Sequence, residues 1–136
     1  MAIVKADDAG ALYEKLLNSG KALIVETLTR LVAGELIPRP QSSDQPLLEA
    51  PKLNRENTLI NWSETTDNVV NKIRGLHPFP KAWTPSVVGD VKVLKAHAIH
   101  AADALPSEGQ PGDVALTKSV LAVRCSNGWI LSLIHI

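Results

Sequence analysis

Between residues 9 and 34 the apolar positions Leu12, Leu16, Leu23, Leu28 and Leu31 recur at three- and four-residue spacing, the period of a helix face. Asp7 or Asp8 stands where a short acceptor side chain satisfies the free amides of a first turn, and Gly34 supplies a C-terminal stop. Asn18-Ser19-Gly20 predicts a break into two helices, and the apolar run Ala22-Leu23-Ile24-Val25 asks for cover on more than one side. Pro38, Pro40, Pro46 and Pro51 then remove backbone donors, which predicts a linker or extended wrapping segment. A short extended piece is expected at 59–62, followed by a helix over about 65–76 that packs through Val69, Val70, Ile73 and Leu76. Ser63 or Thr66 would cap this helix, and Gly75 with Pro78 would end it. Pro78 and Pro80 predict a stiff extended entry to the C-terminal third of the chain, with Phe79 and Trp83 burying large surfaces as anchors.

From Trp83 onward the period shortens. "SVVGDVKVLKAHAIH" alternates about a Gly-Asp turn, and "GQPGDVALTKSVLAVRCSNGWILSLIHI" holds three β-rich runs split by turn signals. Asn127-Gly128 is the hairpin signal, because both residues tolerate positive φ. These patterns predict an α+β chain with a small antiparallel barrel or curled sheet, divided at 1–36, 37–58 and 59–136. The last run, Ile130 to Ile136, is apolar to its final residue, which reads as a strand cut before its turn. The leading helices likewise lack a surface to cover them, and these uncovered faces leave self-association open.

Charge narrows the choice of partners. Lys plus Arg and Asp plus Glu each number 14, so no global basic field is present. The distribution is uneven, however: between Lys72 and Lys95 five basic residues face the single acid Asp90. Lys72, Arg74, Lys81, Lys92 and Lys95, with Lys52, Arg55 and also Arg39, form a set able to meet phosphates without reading bases, as against an ordinary solvated surface. One cysteine, Cys125, excludes an internal disulfide and fits a reducing, cytoplasmic setting. Beside Arg124 its thiol pKa could be lowered, but a lone cysteine in an apolar strand reads better as a packing residue. His77, His97, His100 and His135 show no ligand spacing, and no metal is expected. Trp62, Phe79, Trp83 and Trp129 each lie beside apolar neighbours, which favours core packing over base stacking. No apolar run reaches the ~20 residues that span a bilayer, so no membrane is an expected partner, and without a global basic field DNA is not one either.

Two long stretches carry a resemblance. "DDAGALYEKLLNSGKALIVETLTRLVAGELIPRPQ" and "EAPKLNRENTLINWSETTDNVVNKIRGLHPFPKAWT" resemble, in order and spacing, the second half of the bacterial methionyl-tRNA formyltransferase family. The family's helix start D-x-x-G-x-L-x-x-K-L matches Asp7, Gly10, Leu12, Lys15 and Leu16, and its A-x-K-L linker matches Ala50 to Leu53. Its I-D-W strand matches Ile60 to Trp62, and its arginine-containing helix runs into N-P-x-P-G-A-x-T at His77 to Thr84. The stretch from Ile60 to Thr84 is the most specific, and "SNGWILSLIHI" is similar to the last barrel strands. Asn61, His77 and Lys81 depart from the usual Asp, Asn and Gly.

The resemblance implies a two-domain enzyme that moves a formyl group from 10-formyltetrahydrofolate to the methionyl amino group of initiator tRNA. Residues 1–36 would be helices left from the α/β catalytic domain, and 37–58 the linker. Residues 59–136 would be a leading helix with an OB-like barrel that helps to hold the tRNA. The catalytic Asn, His and Asp of the family lie upstream of the matched region, so no catalytic residue, bound cofactor or activity is expected of this chain alone. Lys52, Arg55, Lys72, Arg74, Lys81, Lys92 and Lys95 become the candidate tRNA contacts. Sugar-nucleotide formyltransferases and formyltetrahydrofolate hydrolases share a similar barrel, and a non-enzymatic OB-like interaction module is the remaining alternative.

Overall fold

A computed structural model describes residues 1–41, 48–99, 105–116 and 121–135. Helix α1, Ala9–Val32, is continuous, so the expected break at Asn18-Ser19-Gly20 does not occur. Gly20 costs only about 1 kcal/mol in a helix interior, and strong helix formers on both sides carry the ladder across it. Asp8 caps the start by accepting from the Ala11 amide at 2.8 Å. At the other end Gly34 adopts φ 73°, its N–H donates to Leu31, and the Glu35 N–H donates back to Arg30, a Schellman ending.

Helix α2, Thr66–Leu76, is capped by Thr65, one residue between the two expected candidates. Gly75 lies within it, and His77 is the C-cap before Pro78. A second acceptor reaches α2 from far along the chain: the Thr66 amide donates to Asn127 Oδ1 at 2.8 Å. Thr66, Val69, Ile73 and Leu76 are buried and Val70 is half-buried, as the apolar spacing requires.

Among the described residues five strands form one antiparallel sheet: β1 Ala82–Ser86, β2 Gly89–Ile99, β3 Val114–Leu116, β4 Leu121–Cys125 and β5 Gly128–His135. Their order is β1-β2-β5-β4-β3. This sheet is curled, but its described edge strands β1 and β3 do not pair, so it is an open half-barrel. Helix α2 covers β2, β5 and β1, and Val69, Ile73 and Leu76 meet Ala82, Val93, Ala96, Val123, Cys125 and Ile130 in the core.

Both hairpin turns fall one or two residues earlier than the sequence suggests. Ser86 pairs with Gly89, so Val87-Val88 is the first turn and Gly-Asp opens β2. Cys125 pairs with Gly128, which makes Ser126-Asn127 the second turn. Asn127 serves there as a cap for α2. Gly128 suits a close approach, since a Cβ would lie 3.2 Å from Thr66 Cγ2 and that side chain would have to give by a few tenths of an ångström.

Of the extended piece expected at 59–62, Leu59 and Ile60 join the sheet edge together with Thr58, Ile60 N–H donating to Trp83 O and Trp83 N–H to Thr58 O, whereas Trp62 already lies in a turn. Among the described residues no helix is long and apolar enough to cross a membrane.

Candidate functional site

The candidate cations are distributed around strand β2. Its ladder to β5 shifts register between Val93 and Lys95, so Leu94 is an extra residue on β2. Val91 and Val93 point inward before this bulge and Ala96 after it, leaving Lys92, Lys95 and His97 exposed. Were the ladder to run through Leu94 without the bulge, strict alternation would turn Lys95 inward and Ala96 outward.

Lys92 borders a cleft of about 320 Å³ that also receives Arg55 and Lys81, together with Asn54, Thr58, Trp83 and Asp90. Arg55 is held there by a compact turn. The Asn54 amide donates to Asn57 Oδ1 at 2.8 Å and the Asn57 amide returns a bond to Asn54 Oδ1 at 2.9 Å. Arg55 then grips Trp83 twice: its carbonyl accepts from the indole Nε1 at 2.9 Å, and its guanidinium lies 3.8 Å above the ring centre. The same guanidinium meets Asp90 Oδ2 at 2.6 Å. Both partners are exposed, so this pair contributes only ~0.2–1 kcal/mol, an amount that a competing anion can replace.

Lys81 reaches the cleft from a strained position. Its φ is 79°, the left-handed region, and its amide donates to Leu76 O at 2.9 Å as the chain leaves α2. Glycine, the usual residue here in the pattern that the resemblance implies, adopts this conformation without the cost that a Cβ imposes.

Lys95 and Arg74 border a second cleft of about 240 Å³ with Lys5, Asp8, His77 and His97 over an apolar floor that includes Val70 and Ile73. Arg74 is engaged by the chain itself: Nη1 donates to the Asp7 carbonyl at 2.9 Å and Nε to Asn71 Oδ1 at 2.8 Å. Lys52 and Lys72 border neither cleft. Lys52 is exposed ahead of the Asn54 turn, its carbonyl accepting from Asn57 Nδ2, and Lys72 is half-buried on α2. Arg39 is exposed.

The foot of α1 closes the second cleft. Asp8 takes His77 Nδ1 at 2.9 Å, and the Gly10 amide donates to the His77 carbonyl at 3.1 Å. A side chain at Gly10 would place Cβ 2.8 Å from Pro78 Cδ. Asp7 accepts from Lys15 Nζ at 2.6 Å and from the Val4 amide at 2.9 Å. Lys15 lowers the Asp7 pKa, with the Val4 amide assisting. The Ala11 amide does the same for Asp8, with His77 adding to it. Burial pushes the Cys125 thiol up to about 11 despite Arg124 nearby, so it is a protonated packing group at neutral pH.

Phe79, expected to anchor the approach, is 85% exposed, because the turn after α2 carries it away from the core. Trp62 and Trp129 behave as expected, with their Nε1 groups satisfied by Thr84 Oγ1 and the Pro106 carbonyl. Among the described residues no group of three or more His, Cys, Asp or Glu side chains is placed to hold a metal. His100 lies outside the described residues. Sequence reading missed Asp90 as the partner of Arg55, and Lys5 beside Arg74. The paired asparagines three residues apart around Arg55 were the available signal for its turn.

A family model described as formyl transferase, C-terminal domain, matches residues 52–135. The chain belongs to that family. Its likeness to particular proteins extends through α1 as well. It is 40% identical over 129 residues to the methionyl-tRNA formyltransferase of Chlorobium limicola, covering 94% of this chain and 40% of that protein. To the methionyl-tRNA formyltransferase of Enterococcus faecalis it is 32% identical over 132 residues, covering 96% of this chain and 41% of that protein. The chain thus spans about two-fifths of the length of these curated relatives. Among solved structures, a variant of HypX from Aquifex aeolicus superposes with a TM-score of 0.57 at 22% identity, over 80% of this chain and 19% of that one. HypX in complex with tetrahydrofolic acid superposes similarly, at 0.56 and 22%, over 80% and 18%. At that identity the likeness concerns the fold.

Proposed function

We propose that this chain is the C-terminal part of a methionyl-tRNA formyltransferase and that its task is to hold initiator tRNA while another part of the enzyme transfers the formyl group. The observation carrying this reading is the extent of the match: methionyl-tRNA formyltransferases align along 92–98% of the chain, through α1 as well as through the sheet. Residues 1–36 then belong with the catalytic domain of the full enzyme, 37–58 with its linker, and the curled sheet with its OB-like tRNA-holding domain.

The arrangement of charge supports the assignment. Arg55, Lys81 and Lys92 converge on one cleft, and Lys95 follows Lys92 outward along β2 past the bulge. Such cations take the phosphates of an RNA backbone by shape and charge, without base reading. The Trp83 clamp and the Asn54 turn fix Arg55 in advance, so less freedom is lost on binding. In the full enzyme this contributes to catalysis by position: a held tRNA body brings its aminoacyl end to a fixed place relative to the formyl donor. 10-Formyltetrahydrofolate and the catalytic Asn, His and Asp would belong to the catalytic domain, so the chain alone should turn over no substrate.

The test is binding to initiator tRNA across a salt series, with R55Q/K81M/K92M measured in parallel. If the cleft meets about three phosphates, the triple variant flattens the slope of log K against log salt by about 2–3. Tight, salt-dependent binding by the parent and a flattened slope in the variant is the expected result. Absence of binding at low salt would refute the reading and favour a relative that formylates sugar nucleotides or hydrolyses formyl-folate.

A further inference from the structure

We propose that Asp90 occupies the place of a phosphate in the Arg55 cleft and that a phosphodiester of bound RNA displaces it. This rests on the RNA-holding reading and gives that site an internal competitor. Arg55 is fixed on two sides before any ligand arrives, by the Asn54–Asn57 turn behind it and by Trp83 beneath its guanidinium. Its outer edge carries the Asp90 carboxylate at 2.6 Å. A carboxylate oxygen at that distance uses the same N–H edge that a phosphate oxygen uses, since guanidinium recognises both anions alike. Lys81 and Lys92 border the same cleft, leaving three cations around one acid.

Asp90 has the freedom to leave. It is the second residue of β2, directly after the Val87-Val88 turn, it faces solvent, and its Cα partner in the ladder is Pro85 on the edge strand. Displaced, the carboxylate returns to water, while the Arg55 frame remains in place. A weak polyanion contact, one phosphate at a time, gains little because it must first remove Asp90. An RNA that engages Lys81 and Lys92 at the same time gains enough, so the exchange raises the threshold for loose anionic ligands.

The consequence is unusual for a surface acid: neutralising it should matter only through Arg55. D90N is expected to tighten initiator tRNA binding by about two- to fivefold, the range set by an exposed ion pair. The salt slope should change little, because Arg55, Lys81 and Lys92 meet the same phosphates in both proteins. In an R55Q background D90N should do nearly nothing. General repulsion of RNA by a negative charge predicts instead the same tightening in both backgrounds.

The experiment is therefore a double-mutant cycle on the full chain: parent, D90N, R55Q and D90N/R55Q, each titrated with initiator tRNA at several salt concentrations. Coupling between the two substitutions, with tightening confined to the Arg55 background, supports the exchange. Equal tightening in both backgrounds, or weaker binding by D90N alone, overturns it while leaving RNA binding intact. Salt-insensitive binding, or none in any of the four proteins, instead overturns the RNA-holding reading on which it stands. Asp90 and its ladder neighbours are exposed, so a shared loss of folding is checked by thermal melting of D90N, which should match the parent.

Discussion

Lys81 combines a structural cost with a useful charge, and the two separate by substitution. A left-handed backbone costs an ordinary residue ~1–2 kcal/mol, while replacing it by glycine returns only ~0.4–1 kcal/mol to the unfolded chain as entropy. With φ at 79°, Lys81→Gly should therefore stabilise the fold by roughly 0.5–1 kcal/mol, read as a higher urea midpoint. Lys81→Met keeps the strained backbone and removes the charge, so stability should stay near the parent while tRNA affinity falls. Equal stability of K81G and K81M would contradict the account. Cys125 supplies a second residue-level contrast. Its thiol, buried and raised to about 11, should react with thiol reagents at pH 8 far more slowly than the same thiol after denaturation. Fast labelling of the native protein would show that the β4 packing is open.

At the scale of elements, the period of apolar residues told most of the fold and the local turn signals told less. Val69, Ile73 and Leu76 are buried because three- and four-residue spacing forces them to one face. The alternation in β2 was readable on each side of Leu94, but the bulge depends on pairing with β5, which no local pattern reports. Asn127 and Gly128 carry the local signature of a positive-φ turn, yet their reasons are tertiary: one caps α2 and the other leaves room for it. Lys92 and Lys95 were visible as exposed cations, whereas Asp90 became a partner of Arg55 only through folding. Asn127→Ala should test the long-range cap. It strands the buried Thr66 N–H, and a lost cap typically costs ~1 kcal/mol, so the urea midpoint should fall while α2 stays in place. A midpoint within error of the parent would mean that water replaces Asn127 without cost.

For the whole molecule, the direction in which α1 leaves the sheet domain is set at its foot. Only residues 9–12, Lys15 and Thr27 of that helix are shielded even partly, and none is fully buried. The orientation therefore depends on Asp8 holding His77 and capping α1, on Gly10 against Pro78, and on Arg74 holding the Asp7 carbonyl. The Asp7 and Asp8 carboxyls both ionise below their ordinary value of 3.8 in the folded chain. Their contribution is complete above the unfolded-chain value and is lost as pH falls through the lowered folded values. The junction should accordingly hold from neutral pH down to about 4 and loosen below it, while the sheet core, which among the described residues holds no buried carboxylate, outlasts it. Amide exchange of Gly10 and Ala11, compared with that of Val93 and Ile130 as pH is lowered, reads the two events separately. Asp8→Asn should give faster exchange at Ala11 already at pH 7, because the amide oxygen replaces a charged acceptor at the cap. His77→Asn should keep the Gly10 bond, which uses the backbone carbonyl. If Gly10 and Ala11 retain full protection below pH 3, the carboxylates have no part in setting the direction of α1, which then rests on Gly10 against Pro78 and on Arg74 at the Asp7 carbonyl.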